Sequence, residues 1–426
     1  MFTHPRIDEL QSALGRDLIQ FLPELVVAGG VVLLLLARLV KVFDRAHLGG
    51  VAGAVLAVAL FATAAGYPSV AGDARQGSIF TGMLAADPFA GFVRVVVLAA
   101  VLVTVLLTRV TGLPDAEDSA DFHALLLGGT LGMLLMASAN HLLMAFIAVE
   151  MASLPGYALA GFLKGKRTGG EAALKYVVFG AAASGVMLYG VSLVAGTFGT
   201  GYLPDVAAAA SARLAGHGGF DPVLLAGVAL TLVGLGFKLA AVPFHFWCPD
   251  VFAGAAAEVA GFLSVASKAA AVGLAARLLY SLHAAAPDPW VVPRTLGVGV
   301  GVVGAVTVTF GNLAAFAQTD LKRLLAYSTI AHAGYMLLGL AALTAGAAAG
   351  VLYYLAAYLL MNLGAFAVVA VVRNATGAED LGAYRGLAWR APVAAVAMAV
   401  FLFSLLGFPP LAGFAGKFQV FAAVYD

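Results

Sequence analysis

Residues 230–250 read LTLVGLGFKLAAVPFHFWCPD, an apolar run that a single lysine interrupts and a proline follows. A charged side chain at the centre of a bilayer costs roughly 2.5–3.5 kcal/mol on insertion scales, so a lysine such as Lys238 indicates a functional site. Pro243 has no backbone N–H and clashes with the preceding helical turn. We therefore expect the helix that carries Lys238 to break just after the charge, beside a wet or protein-lined cavity that satisfies the freed backbone groups.

The composition indicates a polytopic membrane protein. Hydrophobic residues make up 62% of the 426 positions and charged residues 11%, against about one-half and one-quarter in soluble domains. The 23 basic and 22 acidic residues nearly cancel, so no overall field indicates nucleic acid as a partner. The single cysteine, Cys248, excludes a disulfide within the chain and any iron–sulfur or zinc site built from several of its cysteines.

Segmentation at about 20 apolar residues per span predicts an all-α protein with about twelve transmembrane helices. They follow an extracytoplasmic segment, residues 1–20, which lacks the pattern of a cleaved signal peptide. The predicted spans are 21–43, 48–67, 87–110, 122–139, 141–163, 171–196, 222–246, 252–283, 294–317, 322–344, 350–372 and 392–425.

The loops suggest an orientation for these spans. Lysine and arginine are more frequent in the loops after predicted helices one, three, five, nine and eleven, which indicates that these loops are cytoplasmic and that both chain ends lie outside. Of the two long connections, residues 197–221 are predicted to contain a short amphipathic helix on the outer surface. Residues 373–391 form a polar, arginine-rich cytoplasmic loop.

Two interrupted helices indicate an internal symmetry. In helix seven Lys238 precedes Pro243, whereas in helix twelve Pro409 and Pro410 precede Lys417. Interrupted helices at corresponding places in two halves are typical of inverted-repeat transporters with a site near the membrane midplane. We therefore expect two inverted five-helix repeats, and divide the chain after residue 20 into 21–110 (three N-terminal helices), 122–283 (first repeat) and 294–426 (second repeat).

Ionisable residues on different predicted helices are candidates for a line of proton-exchanging groups across the bundle. They are Glu150, Lys175, Lys238, Lys268 and Lys417. A carboxylate beside a buried lysine favours the charged lysine, by about 4 kcal/mol at about 4 Å and an effective dielectric of about 20. Moving Glu150 away from Lys238 would then release a proton.

Other interpretations remain open for some of these residues. Glu150 could instead form a static ion pair with a lysine. Lys175 lies near a helix end, where a lysine side chain can extend along the lipid to the headgroups. His245 and His332 are possible relays, and each could equally be a hydrogen-bonded packing histidine. Two glycine motifs, at 299–304 and 413–417, lack the residues that a nucleotide site requires.

Six segments resemble a known family, the antiporter-like, proton-translocating membrane subunits of respiratory complex I. They favour the branch called subunit N in bacterial NADH-quinone oxidoreductase over its sister subunits. The segments are EMASLPGYAL at 150–159, EAALKYVVFGAAASG at 171–185, GFKLAAVPFHFWCPDVFAGA at 236–255, FLSVASKAAAV at 262–272, LKRLLAYSTIAHAGYM at 321–336 and GFPPLAGFAGKF at 407–418.

The resemblance implies a proton channel without a redox centre, driven by electron transfer elsewhere in the complex. It implies that Glu150 and Lys238 form a modulating pair, that Lys268 is the central relay, and that Lys417 serves a second half-channel; Lys175 also matches a family lysine. No cofactor is expected in this chain, because NADH, flavin, iron–sulfur clusters and quinone would bind elsewhere.

The same resemblance implies a location and partners. The chain would be a multi-pass protein of the bacterial cytoplasmic (inner) membrane, in contact with lipid, with a neighbouring antiporter-like subunit and with a small membrane subunit. The alternatives are a subunit of a multisubunit cation/proton antiporter and a purely structural membrane-arm subunit.

Two features depart from the family pattern. Where the family usually reads G-A-P-T-P, this chain has residues 254–258, which lack the proline and end in a carboxylate, Glu258, at the predicted cytoplasmic entrance. The family has fourteen helices, whereas this sequence ends before the last member of the second repeat. A truncated gene, a fragment and a divergent form would each explain that difference.

Overall fold

The computed structural model describes residues 7–40, 46–72, 77–163, 165–217, 221–286 and 296–425. The helices of the N-terminal part and first repeat are α1 (Ile7–Gln20), α2 (Leu22–Arg38), α3 (Gly49–Gly72), α4 (Pro88–Thr111), α5 (Ser119–Ser138), α6 (Leu142–Ala160), α7 (Arg167–Phe198), α8 (Leu203–His217), α9 (Pro222–Leu239), α10 (Trp247–Gly254), α11 (Ala257–Phe262) and α12 (Lys268–Ala284).

The remaining helices are α13 (Val298–Ala315), α14 (Leu321–Ala341), α15 (Ala345–Thr376), α16 (Leu387–Arg390), α17 (Pro392–Leu406) and α18 (Ala412–Tyr425). A π-helical turn, Leu263–Ser267, joins α11 to α12. A short antiparallel hairpin, β1 (Ser78–Ile79) and β2 (Leu84–Ala85), precedes α4 and is not among the predicted elements.

The prediction of an all-α polytopic membrane protein is confirmed. In the described residues ten helices are long and apolar enough to cross a membrane, or eleven if a bent pair forms one span. That pair is α1 and α2, which meet at 71°. The bend lies at Phe21, the predicted start of helix one (21–43), and α1 belongs to the segment 1–20 that was predicted to precede it. Predicted helix twelve, 392–425, is divided into the shorter α17 and α18 by a break at Gly407.

The predicted break after Lys238 is confirmed. Helix α9 ends at Leu239, and Ala240 takes a left-handed conformation with φ of 53°. The start of predicted helix eight, residue 252, is wrong, because residues 252–254 belong to α10. The next span begins at Ala257, since the backbone at Ala255 is extended (φ −73°, ψ 162°) and interrupts the helix there.

The connections follow the sequence prediction closely. The loop 197–221 contains the expected short helix, α8, which buries Leu203, Val206 and Ala210 on one face. The division between predicted helices four and five lies at 139–141, between α5 and α6. The loop after α15 pairs with the loop before α14, through hydrogen bonds from Leu321 N to Glu379 O (3.2 Å) and from Leu381 N to Thr319 O (3.0 Å). These two loops therefore lie at the same end of the bundle, as the charge bias indicated.

Buried and half-buried ion pairs connect helices that are distant in sequence. Arg94 of α4 lies 2.7 Å from Glu24 of α2. Arg277 of α12 donates two hydrogen bonds, of 2.7 and 3.1 Å, to Asp87 at the start of α4. Burial alone would raise the pKa of Asp87, but the hydrogen bonds and charge of Arg277 outweigh it and hold the pKa below its ordinary value.

Glu258, whose effect the sequence left open, joins two buried helix ends. Its carboxylate is 1% exposed and accepts hydrogen bonds of 3.1 and 3.3 Å from Arg373, near the end of α15. Beside it, Lys322 donates to the carbonyl of Ala255 (2.8 Å) and pairs with Glu379 at 2.7 Å. The residues that replace the family's proline thus anchor the start of α11, the span that leads to Lys268.

We expect Glu258→Gln to lower the free energy of unfolding by about 3 kcal/mol, because it leaves the Arg373 guanidinium buried without a counter-charge. The measurement is the thermal midpoint of the solubilised protein. Arg213→Gln is the matched control, since Arg213 pairs with Asp221 at 3.7 Å on an exposed surface and such pairs contribute little. Equal effects of the two substitutions would contradict the assignment.

Candidate functional site

Lys238 lies in the last turn of α9 with its side chain 1% exposed. Among the described residues its ammonium has no hydrogen-bond partner. Glu150 of α6 is close enough for its charge to act on Lys238, but the two form no ion pair within 4.0 Å in the described part of the chain. The Glu150 carboxylate instead accepts a hydrogen bond from the hydroxyl of Ser184 on α7. The predicted pair therefore shares one buried region without direct contact.

The backbone groups freed by the first break are satisfied by protein side chains. Trp247 donates its indole N–H to the carbonyl of Phe237 at 3.0 Å, and the amide of Val242 donates to the hydroxyl of Thr307 at 3.0 Å. Tyr176 stacks on the Trp247 ring with 4.4 Å between centroids and 8° between planes. A cavity does lie beside this break, and it is lined mainly by aliphatic side chains such as Leu239, Val242 and Leu278.

Lys268 is attached directly to this break. It stands at the start of α12, is 1% exposed, and donates a 2.7 Å hydrogen bond to the carbonyl of Leu239. Because Leu239 follows Lys238 in sequence, Lys268 is bonded to the backbone of the residue next to Lys238. The hydrogen bond joins residues 29 positions apart in the sequence. It is possible because α9 ends at Leu239, where the predicted break leaves this carbonyl without a partner in its own helix.

Lys417 makes the equivalent contact at the second break. Its ammonium donates to the carbonyls of Leu405 (2.9 Å) and Leu406 (3.2 Å), the last residues of α17. It also lies 4.5 Å from the centre of the Tyr335 ring, a cation–π arrangement. In both places a lysine thus binds the carbonyl end of a broken helix. The boundaries of the two repeats stay a prediction.

His332 is 3% exposed, and its Nδ1 is hydrogen-bonded to the Tyr354 hydroxyl. Its ring lies 5.8 Å from the ring of Tyr335, over which the Lys417 ammonium lies. His245 differs, since in the described structure its Nδ1 has no partner and its ring packs on Phe310, 4.4 Å between centroids. The structure thus gives His332 a buried hydrogen bond and leaves Nδ1 of His245 unpaired among the described residues, and the relay role of each stays a prediction.

Lys175 lies apart from the other candidates. Its side chain is 37% exposed and forms ion pairs with Glu171 (2.7 Å) and Asp250 (2.6 Å). Asp250 also pairs with Arg323 at 2.9 Å. The structure therefore groups Glu150, Lys238 and Lys268 at one break and leaves Lys175 in a charge cluster at the edge of the bundle.

The sequence prediction passed over several buried polar residues within its own spans. Glu24 and Arg94 are ionisable residues within these spans, and they form an ion pair with each other. Tyr354, Tyr358 and Asn362 were also passed over. These polar residues are four apart in one helix, so their spacing indicates a polar face within a predicted span. No group of three or more His, Cys, Asp or Glu side chains within the described ranges is placed to hold a metal ion.

Comparison with known proteins gives a consistent result. The family model described as "NADH:quinone oxidoreductase/Mrp antiporter, TM" matches residues 139–426. The chain is 43% identical to NADH-quinone oxidoreductase subunit N of Anaeromyxobacter sp. (strain Fw109-5), over 99% of this chain and 82% of the relative. It is 41% identical to subunit N 2 of Sorangium cellulosum, over 96% of this chain and 82% of the relative.

Solved structures show the same fold. A chain of respiratory complex I from Thermus thermophilus with bound aureothin is 35% identical, with a TM-score of 0.74 and coverage of 95% of this chain and 82% of that one. A chain of the Mrp complex from Dietzia sp. DQ12-45-1b is 26% identical, with a TM-score of 0.81 and coverage of 96% and 75%. The chain therefore belongs to the NADH:quinone oxidoreductase/Mrp antiporter family of membrane subunits, and within it to the subunit N branch of NADH-quinone oxidoreductase.

Proposed function

We propose that this chain is a proton-translocating membrane subunit of NADH-quinone oxidoreductase in the bacterial inner membrane. The observation that carries the proposal is the attachment of a lysine to the end of each broken helix, the buried Lys268 at Leu239 and the half-buried Lys417 at Leu405. A buried, movable charge at a helix break is the arrangement that transporters use to couple proton binding to conformation. The relatives named subunit N, at 43% and 41% identity, support the same conclusion.

The first step would be a charge switch at Lys238. With Glu150 turned toward it, the carboxylate favours the protonated lysine. With Glu150 held by the Ser184 hydroxyl, as in this structure, that support is weaker and the buried lysine tends to release its proton. Rotation of one carboxylate between two partners on neighbouring helices would therefore load and unload Lys238.

The second step would pass the proton toward Lys268 and on to Lys417. Lys268 is bonded to the residue that follows Lys238, so a change at the end of α9 reaches the Lys268 ammonium directly. His332, on which both Lys268 and Lys417 act electrostatically, would connect the two breaks. Lys175, in its exposed ion pairs, would be the outermost member of the path.

The energy for these steps would come from other subunits. Electron transfer from NADH to quinone, with flavin and iron–sulfur clusters, would take place elsewhere in the complex. The neighbouring antiporter-like subunit and the small membrane subunit would transmit the resulting conformational change to Glu150.

We expect Lys238→Met, tested in the complex assembled in native membranes, to lower the initial rate of NADH-driven proton pumping several-fold. Methionine keeps most of the buried volume but removes the proton-carrying group. Lys166→Met is the control, because Lys166 lies exposed just before α7. Unchanged pumping and coupled turnover in the Lys238 variant would favour a purely structural subunit.

We expect Lys175→Gln to reduce pumping less than Lys238→Met does. Asp250 keeps Arg323 as a partner in that variant, and exposed ion pairs contribute about 0–1 kcal/mol each. The measurement is the same pumping assay at matched amounts of assembled complex. A loss equal to that of the Lys238 variant would show that Lys175 carries protons in its own right.

The related antiporter function is the second candidate, favoured by the TM-score of 0.81 to the Mrp complex chain. It predicts that loss of the chain abolishes sodium-dependent proton exchange in membrane vesicles and leaves NADH-driven pumping intact. The opposite result supports the oxidoreductase subunit.

A further inference from the structure

We propose that one face of α15, formed by Tyr354, Tyr358 and Asn362, carries protons between Lys268 and His332, with the Tyr358 hydroxyl as the transfer group. The inference deepens the proposed function and rests on it. It assigns the connection between the two helix breaks to α15, which carries none of the candidate lysines.

The three side chains form a continuous polar face inside the bundle. Positions four apart lie one above another on a helix, and all three residues are 0% exposed. Buried tyrosine hydroxyls and amide groups usually find hydrogen-bond partners because an unpaired one is costly. A run of three such groups at this depth therefore requires a reason beyond packing.

One end of this face contacts the turn that precedes Lys268, and the other end contacts His332. At one end the Asn362 side-chain amide donates a 2.7 Å hydrogen bond to the hydroxyl of Ser264. Ser264 lies in the π-helical turn directly before Lys268, and such turns are frequent at functional sites. At the other end the Tyr354 hydroxyl is hydrogen-bonded to Nδ1 of His332.

The middle of the face is where polar atoms are left unpaired. Among the described residues the Tyr358 hydroxyl and the Asn362 carbonyl oxygen have no well-formed hydrogen bond. The Thr329 hydroxyl lies beside Tyr358 but donates to the carbonyl of Leu325 at 2.6 Å. The Tyr358 ring is 5.1 Å from the His332 ring, centroid to centroid. Two unpaired acceptors one turn apart form a polar site of the kind that binds a water molecule.

The face ends beyond Asn362. The next residues on this side of α15 are Phe366, Val369 and Ala370, each 0% exposed and apolar, before Arg373 pairs with Glu258 at the helix end. The polar groups are thus separated from the charged loop end by two apolar turns. These polar groups contact Ser264 and His332, and they provide no route along α15 to the loop.

The transfer conserves charge at every group. The Lys268 ammonium gives a proton to a water bound between Asn362 and Tyr358, and that water gives a proton to the Tyr358 oxygen. The original Tyr358 O–H bond breaks as its proton passes to the His332 imidazole. The phenol is neutral before and after, Lys268 becomes a neutral amine, and His332 becomes an imidazolium that can discharge toward Lys417.

The test is Tyr358→Phe in the assembled complex, which removes only the hydroxyl. A structural role predicts no loss, because the ring is retained and the hydroxyl forms no bond that stability depends on. Our proposal predicts an unchanged or raised thermal midpoint together with a several-fold lower number of protons pumped per NADH oxidised. Tyr353→Phe, on the outward face of the same helix and 40% exposed in the parent, is the matched control and should pump normally.

A second variant, Tyr358→His, restores an exchangeable proton at this position and should recover part of the pumping lost in Tyr358→Phe. Normal pumping in Tyr358→Phe would overturn the inference. If Lys238→Met then still impairs pumping, only the assignment of α15 fails, whereas normal pumping in both variants would overturn the proposed function as well.

Discussion

The hydrogen bond from the Lys268 ammonium to the carbonyl of Leu239 is the interaction on which the rest of the site depends. A bilayer offers no water to an interrupted helix, so each freed backbone group needs a partner within the protein. At the first break the partners are Lys268, Trp247 and Thr307. At the second break Lys417 binds the end of α17 in the same way. The charge of each lysine and the geometry of the broken helix are therefore linked, because the ammonium group that would carry the proton also donates a hydrogen bond to the helix end.

This linkage gives a physical meaning to the separation of Glu150 and Lys238. A carboxylate in permanent contact with the lysine would fix its charge, and a static ion pair of that kind could not respond to events elsewhere. The carboxylate has a second partner, Ser184, on an adjacent helix, while the lysine has no bond of its own in the described structure. In the proposed switch, a small relative movement of α6 and α7 would change which partner Glu150 takes. Such a movement is the type of signal that a distant redox reaction can send through packed helices.

The sequence was informative wherever the deciding signal is local. Pro243 and Pro409–Pro410 predict the breaks, and an apolar stretch too long for one span predicts the division at 139–141. The start of α11 was missed because no proline marks the break, the extended residues Ala255 and Ala256 are of the best helix-forming type, and a lone glycine such as Gly254 is tolerated within a helix. Pairings such as Glu258 with Arg373 join residues more than a hundred positions apart, and one sequence holds no information about which distant charges meet. Candidate groups could thus be found from the sequence, but their partners could not.

The choice of lysine at both breaks follows from its hydrogen-bonding capacity. An ammonium has three N–H donors and no acceptor, and after losing a proton the neutral amine still has two donors. Lys268 can therefore release a proton and keep its bond to the carbonyl of Leu239, and Lys417 can do the same at Leu405. A carboxylate at these positions could donate only when protonated, so every proton released would leave a buried carbonyl unpaired, at a cost of about 1–3 kcal/mol. Lysine thus allows the charge at a helix break to change while the hydrogen bond to the helix end is kept.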